Sequence, residues 1–470
     1  AMLAMGHGRA GTHHVKIGGT KDGKVLAYNV DALQDSGAYP AMGTFTVSNL
    51  RNSGTGVYDI PTARVAGTSL ATNTTPTVAF RGAGRPEAAC DIERAMDRFA
   101  LAIGMDPAEL RLRNVVAPEQ FPYKTAVGST YDSGEYARAI NKVMTNAGYA
   151  SLRAEQAERR ARKDRVQLGI GIVCTTEITG GGDEFAECKV AADGTASVIV
   201  GTSPHGQGHE TTFAEIVMKE LGIPREKIQI LHSDTDLSPF GGGTIGSRSA
   251  QLGGSSAYGA AVAAVESAKK KAAELLEASE HDIVFDKALG SFYVAGTPSK
   301  SLGWIQIGAV EASHKFESPG TFAFGACVAV IELDTETGDI AVRSMHTVDD
   351  CGTVLNHQLA EGQVHGGLSL ALGAAFYEEM YYGEDGVPKT TNFADYALIS
   401  ATESVMFDCD HTETPSPFNP LGVKGIGESG TVVGTPALQS AVMDALSALG
   451  VEHLDLPYSP VRVWEALQKV

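Results

Sequence analysis

Apolar and polar residues alternate along several short runs of this chain, and turns of the Asp-Gly kind stand between them. His14, Val15, Lys16 and Ile17 precede Lys21-Asp22-Gly23-Lys24, and residues 25–30 resume the alternation. An Asp-Gly pair between two alternating runs predicts a β-hairpin. The device recurs at residues 188–190 and 196–200 around Asp193-Gly194, and at 326–333 and 340–346 around residues 335–338. Each second strand runs into a glycine-bearing or acidic loop: Asp35-Ser36-Gly37, Gly201-Thr202-Ser203, and Asp349-Asp350-Cys351-Gly352.

Helical periodicity follows these loops. Residues 86–103 set Ile92, Ala95, Met96, Phe99 and Ala100 on one face, and Pro86 suits a first turn. Asp106 opens a short helix to Asn114, and further helices are predicted over 134–147, 211–221, 256–278, 361–377, 436–449 and 461–470. Residues 154–165 are charged enough to predict a solvated helix or a linker, so the chain is expected to divide into 1–150 and 151–470. Hairpins alternating with helices predict an α+β fold, with mixed sheets and helices covering one side.

A length of 470 residues fits two or more domains, and 43% hydrophobic with 20% charged residues is ordinary globular composition. The net charge of −19 argues against a nucleic-acid or anionic-membrane partner, which needs a basic face. No basic-then-apolar leader and no 18-residue apolar run occur, so neither export nor membrane spanning is predicted. Ala1-Met2 reads as a cloning remnant. The six cysteines form no C-x-x-C pair, which argues against a zinc ribbon or iron–sulfur ligation within the chain. So few cysteines predict a reducing, cytoplasmic compartment.

Glycine then changes the picture. The 54 glycines cluster in loops, most of all at residues 422–430, where Glu428 stands among Gly422, Gly425, Gly427 and Gly430. Glycines permit close backbone approach, and a lone acid in such a loop can lose solvation and become a general base. Gly425-x-Gly427-x-x-Gly430 also satisfies a dinucleotide-binding pattern, but that pattern needs a buried strand before it, and Pro417 and Pro420 exclude one. Four more glycine-rich segments are expected between a strand and a helix: residues 79–87, 204–212, 240–249 and 361–367. Helix N-termini there favour phosphate or other anions, and their glutamines suit a fused heterocycle such as a pterin. Taken singly, each is a tight turn, Arg81 and Arg248 cap carboxylates, and His205, His209 and His365 are ordinary residues. His209-Glu210 lacks the second histidine of a zinc protease helix.

Taken together and in order, residues 79–87, 206–212, 244–249, 361–367 and 425–428 resemble the molybdenum-binding large subunit of the xanthine oxidase family. The likeness is strongest to the branch of carbon monoxide dehydrogenase large chains, and it runs over essentially the whole chain. It implies two molybdopterin-binding domains with a cofactor cleft between them. It also implies molybdopterin with molybdenum, in its cytosine dinucleotide form. Gln207 and Gly208 are expected at the pterin, with Thr244, Ser247, Arg248 and Ser249 at its phosphates. Gln363 is expected at the ring system or an adjacent loop, and Gly427 beside the cofactor. Phe80, Arg81 and Gly82 are expected on the substrate side. Glu428 is implied as the general base toward a metal-activated hydroxyl. An iron–sulfur subunit and an FAD subunit are the implied electron acceptors, in an oligomeric complex.

Two departures qualify these expectations. The family's large chain carries a long upstream segment, with a hammerhead domain and another glycine-rich cofactor loop, that these residues do not contain. The isolated chain is therefore expected to hold little molybdenum, or to be a cofactor-free truncated or orphan module without activity. The second departure is Gly82, since carbon monoxide dehydrogenases place a cysteine directly after the loop arginine. A copper–molybdenum centre is thus not expected, and the resemblance implies hydroxylation of an aldehyde or N-heterocycle using water.

Overall fold

The computed structural model describes residues 2 and 4–470. All three predicted hairpins form, every arm but Ala196–Val200 longer than the alternation marks: Gly11–Gly19 with Val25–Asp35, Gly182–Val190 with Ala196–Val200, and Phe322–Asp334 with Ile340–Asp350. Each hairpin recruits strands that its own pattern did not announce. Thr62–Leu70 lies parallel to Val25–Asp35. Val310–Ser318 and Ile228–Leu231 flank the second hairpin and make an outer four-stranded sheet. Val166–Ile178 and Phe407–Thr412 flank the third and make a central one.

The outer sheet alternates buried and half-buried positions along Gly182–Val190 and rests on His209–Leu221 and Ser255–Leu275. That is the expected one-sided covering. The central sheet departs from it. Ala326, Val328 and Val330 face a core shared with helices Arg85–Ile103 and Tyr136–Ala147, whereas Cys327, Ala329 and Ile331 face helices His357–Phe376 and Ser429–Ser447. Strands covered on both faces lose their alternation and read as continuous apolar runs, which is why Val166–Ile178 gave no alternating signal. The result is an α+β fold whose central sheet is a buried layer.

Two expected elements change, and one that had two readings takes one of them. The helix predicted from Pro436 starts at Ser429 and carries Pro436 inside it. An interior proline costs roughly 3 kcal/mol, and here tertiary burial offsets it. The helix lies on Gly169 and Gly171 of the central sheet, where a Cβ would stand 2.2 Å from the Ala441 carbonyl oxygen and 2.1 Å from that of Ala437. The charged stretch near 154–165 is the solvated helix and not the linker, with Ala154, Ala157, Glu158, Ala161 and Arg162 exposed. It forms Tyr149–Arg162, in which Arg153 and Arg160 pair with Asp444, and Arg159 pairs with Glu332. Residues 361–367 are not a loop but lie within His357–Phe376. Their glycines serve helix contact, since a Cβ on Gly430 would meet the Val364 carbonyl oxygen at 2.4 Å and one on Gly367 the Thr431 nitrogen at 2.7 Å.

Candidate active site

Segments far apart in sequence close around one cavity of about 470 Å³. Arg81, Gln207, Thr244, Ser247, Ser249, Gln363, Gly427 and Glu428 all stand on its wall. Four expected residues do not. Phe80 lies beneath the Arg9 guanidinium, 4.6 Å from ring centre to carbon. Gly208 packs its backbone on Leu359 at the start of the His209–Leu221 helix. The Arg248 guanidinium turns to the Asp183 carbonyl at 2.5 Å and the buried Glu184 carboxylate at 3.5 Å. It is a carboxylate cap, the plainer of the two readings its sequence allowed. Gly82 stands one bond behind the wall, where its N–H donates to Glu428 Oε1 at 2.8 Å.

Glu428 occupies the residue before the Ser429–Ser447 helix, but its side chain makes no capping bond to that helix. It turns into a ring of donors instead. Besides Gly82 at Oε1, Oε2 accepts from Arg85 Nη2 at 2.5 Å and from Ser247 Oγ at 3.3 Å. Arg85 is almost wholly buried, and its other nitrogens hold the carbonyls of Gly82 and Ile178, each at 2.6 Å. One guanidinium therefore fixes the turn of residues 82–85, the end of Val166–Ile178 and the Glu428 carboxylate together. Such charge-assisted, multidentate bonds give geometric precision as well as strength.

A second arginine spans the cavity rim. Arg81 Nε donates to the Gly427 carbonyl at 2.7 Å, and Nη2 to the Gln363 carbonyl and side-chain oxygens at 3.1 and 3.2 Å. Burial lowers its pKa from the ordinary value, with Glu177 and Glu428 opposing that shift.

Sequence reasoning missed two members of the site, Arg85 and Glu177. Arg85 sat unremarked in the string with Arg81. Glu177 is the one acid in the otherwise uncharged strand Val166–Ile178, and that isolation was a legible signal. Its carboxyl lies 3.7 Å from Arg85 Nη1, and its Oε1 shares a hydrogen bond with Ser247 Oγ. Its Oε2 is buried without a partner. Burial pushes Glu177 up to about 8; Arg85 opposes the shift and Glu428 adds to it. Ser247 itself holds a φ of +57°, a left-handed conformation that side-chain-bearing residues rarely adopt.

His209 also reaches the wall, stacked on Phe213 with ring centres 4.9 Å apart. Burial lowers its pKa to about 4, so it is neutral near pH 7. Lys424 is buried, gives Nζ to the Ser133 carbonyl at 3.0 Å, and has its pKa lowered by burial.

The wall suits a polar heterocyclic cofactor with an anionic tail. Gln363 is held through its side-chain oxygen by Arg81, and Gln207 through its own by the His205 amide. Both carboxamide NH₂ groups are thereby left as donors. Ser247, Ser249 and Thr244 add hydroxyls, and a Cβ on Gly206 would meet nothing within 4 Å. The volume lies within the ordinary range for small-molecule sites, about 300–1,000 Å³. Other loop glycines pack on protein rather than facing the cavity: a Cβ on Gly425 would stand 2.1 Å from the Ser247 carbonyl oxygen.

Comparison with known proteins gives the family. A protein-family model described as a molybdopterin cofactor-binding domain matches residues 142–405, and another of the same description matches residues 1–115. The chain belongs to the xanthine oxidase family, as a molybdenum-binding large subunit. It is 38% identical to the carbon monoxide dehydrogenase large chain of Hydrogenophaga pseudoflava, over 97% of this chain and 60% of that one. It is 32% identical to the nicotine 6-hydroxylase large subunit of Paenarthrobacter nicotinovorans, over 100% of this chain and 61% of that one. A crystal structure of a copper–molybdenum CO dehydrogenase superposes with a TM-score of 0.93 at 36% identity, covering 100% of this chain and 63% of that one. The chain thus spans about 60% of the length of the curated relatives it matches. No helix among the described residues is long and apolar enough to cross a membrane.

Proposed function

We propose that this chain is the molybdenum-binding catalytic part of a hydroxylase that oxidises an aldehyde or an N-heterocycle with oxygen taken from water. The observation that supports it is the placement of Glu428, a carboxylate held by three donors at the wall of a cavity lined by glutamine and hydroxyl groups. When bound, the molybdenum of a molybdopterin cofactor supplies Lewis acidity toward water and a sink for electrons. Gln207 and Gln363 donate to the pterin, and Thr244 and Ser249 hold the phosphates of its cytosine dinucleotide form, while the Ser247 hydroxyl stays with Glu428. Gly427 and Arg81 keep the rim closed. Glu428 Oε1 has a single protein donor, so a lone pair remains to accept a proton from the cavity side. In this reading residues 1–150 supply the Arg81 wall and residues 151–470 the rest.

Gly82 argues against a copper-bearing thiol at the position after the loop arginine. Its φ of +102° is a glycine conformation, and a Cβ there would lie 2.4 Å from Pro86 Cγ. An iron–sulfur subunit and an FAD subunit take the electrons, in an oligomeric complex. The relatives named as large chain and large subunit support such companions. Six free cysteines support a reducing, cytoplasmic setting. The test is elemental molybdenum and pterin fluorescence on the protein purified with its companion chains, followed by oxidation of aldehydes and N-heterocycles in ¹⁸O-labelled water. Label in the product supports the reading. Protein that lacks molybdenum and pterin, or loaded protein inert toward both classes, overturns it.

A further inference from the structure

Two carboxyl groups share one arginine and one serine hydroxyl at the back of the cavity. Glu177 and Glu428 both contact Arg85, at 3.7 and 2.5 Å, and both lie within reach of Ser247 Oγ. Hydrogen counting separates their states. Ser247 carries a single hydroxyl hydrogen and cannot donate to two carboxylates at once. If Glu177 is ionised, one of the two contacts is a repulsion between lone pairs. If Glu177 carries a proton on Oε1, it donates to Ser247 Oγ, Ser247 donates to Glu428 Oε2, and every close contact is a hydrogen bond. The other oxygen of Glu177 points the same way. It is buried and unpartnered, a tolerable position for the carbonyl of a neutral acid and a costly one for half of a charge.

We infer that Glu177 is a positioning residue for the reading above: it stays protonated, hands its hydrogen bond to Glu428 through Ser247, and leaves the charge of Arg85 to Glu428 alone. The charged groups acting on it are Arg85 from the Arg85–Ile103 helix, Arg81 from the rim, and Glu428 from the glycine loop. Two of these are cations, and burial together with Glu428 outweighs them. The strained backbone of Ser247 fits this role, because a left-handed conformation at a non-glycine residue persists only where its surroundings demand it. No net reaction is assigned to Glu177; its proton stays on the relay.

The sign of the linkage makes this testable without the cofactor. A carboxyl whose folded pKa lies above its unfolded value stabilises fully below the unfolded value, and that stabilisation is lost as pH rises through the folded one. For Glu177 the window runs from about pH 4.5 to about pH 8. Glu177→Gln keeps a donor toward Ser247 and cannot ionise. Its melting temperature relative to the unaltered chain is expected to rise steadily across that window and level off above it. A difference that does not change with pH overturns the inference. Should the Gln variant not fold, Glu428→Gln serves. It removes the like charge facing Glu177 and is expected to move the pH-dependent loss of stability to lower pH, whereas an unmoved curve overturns the inference. In the cofactor-loaded enzyme, Glu177→Gln is expected to keep molybdenum content and to lose the alkaline fall of turnover. Loaded enzyme with an unchanged pH profile also overturns it. Protein that shows the melting behaviour but takes up no molybdenum when purified with its companion chains counts against the hydroxylase reading and leaves the relay standing.

Discussion

Arg85 and Glu428 meet at 2.5 Å across 343 positions of sequence, and that contact joins the first glycine-rich turn to the last. The guanidinium is almost fully buried while the carboxylate keeps a partly open face toward the cavity. The pair therefore fixes the acid from behind and leaves its front free. Binding sites gain most when the reactive group is held by neighbours that are themselves locked.

Glu428→Gln preserves shape and most hydrogen bonds but cannot accept a proton. In the cofactor-loaded enzyme, turnover is expected to fall by about 10²–10⁴. Molybdenum content should be unchanged, because the proposed cofactor donors are Gln207, Gln363, Thr244 and Ser249. Near-normal turnover with metal retained would remove Glu428 from the mechanism.

Arg85→Gln leaves Glu177 and Glu428 facing each other without their shared cation. Breaking a buried pair in this way costs about 3–5 kcal/mol. The urea midpoint should fall accordingly, and Arg85→Lys should recover only part of the loss, since one ammonium cannot reach Gly82, Ile178 and Glu428 in a plane. A Lys variant as stable as the original would show that the fork geometry is unimportant.

Gly82→Cys and Gly82→Ala are expected to destabilise alike. The cost comes from a φ of +102° and a clash with Pro86, not from the chemistry of the side chain. Backbone strain of this kind costs about 1–3 kcal/mol before the clash is added. Thermal melts of the two variants check this; a Cys variant markedly more stable than the Ala variant would mean the turn rearranges to admit a thiol.

Gly430→Ala introduces a Cβ 2.4 Å from the Val364 carbonyl oxygen, at the crossing of two buried helices. Overpacking of this sort costs about 1–3 kcal/mol. Because Gln363, a proposed cofactor donor, is carried on the displaced helix, molybdenum content should drop together with stability. Unaltered metal content and melting temperature would show that the crossing has slack.

Local chemistry in the sequence was enough for the hairpins, for most helices and for the order of the glycine-rich segments. Asp-Gly turns and 3.6-residue periodicity act within a few residues of chain, so no distant partner is needed to read them. The glutamine, hydroxyl and carboxylate residues that reach the cavity were legible through the same ordered segments. What failed was whatever a distant neighbour decides. Val166–Ile178 gave no alternation because helices cover both faces of its sheet. The Ser429–Ser447 helix runs through Pro436 because Gly169 and Gly171 let it settle onto the sheet, and this carries the helix start back to Glu428. Arg248 turned from the cavity to Glu184, and Arg85 turned to Glu428, although both are arginines beside glycine-rich turns. Which acid each of these two guanidinium groups meets is a property of the folded chain alone.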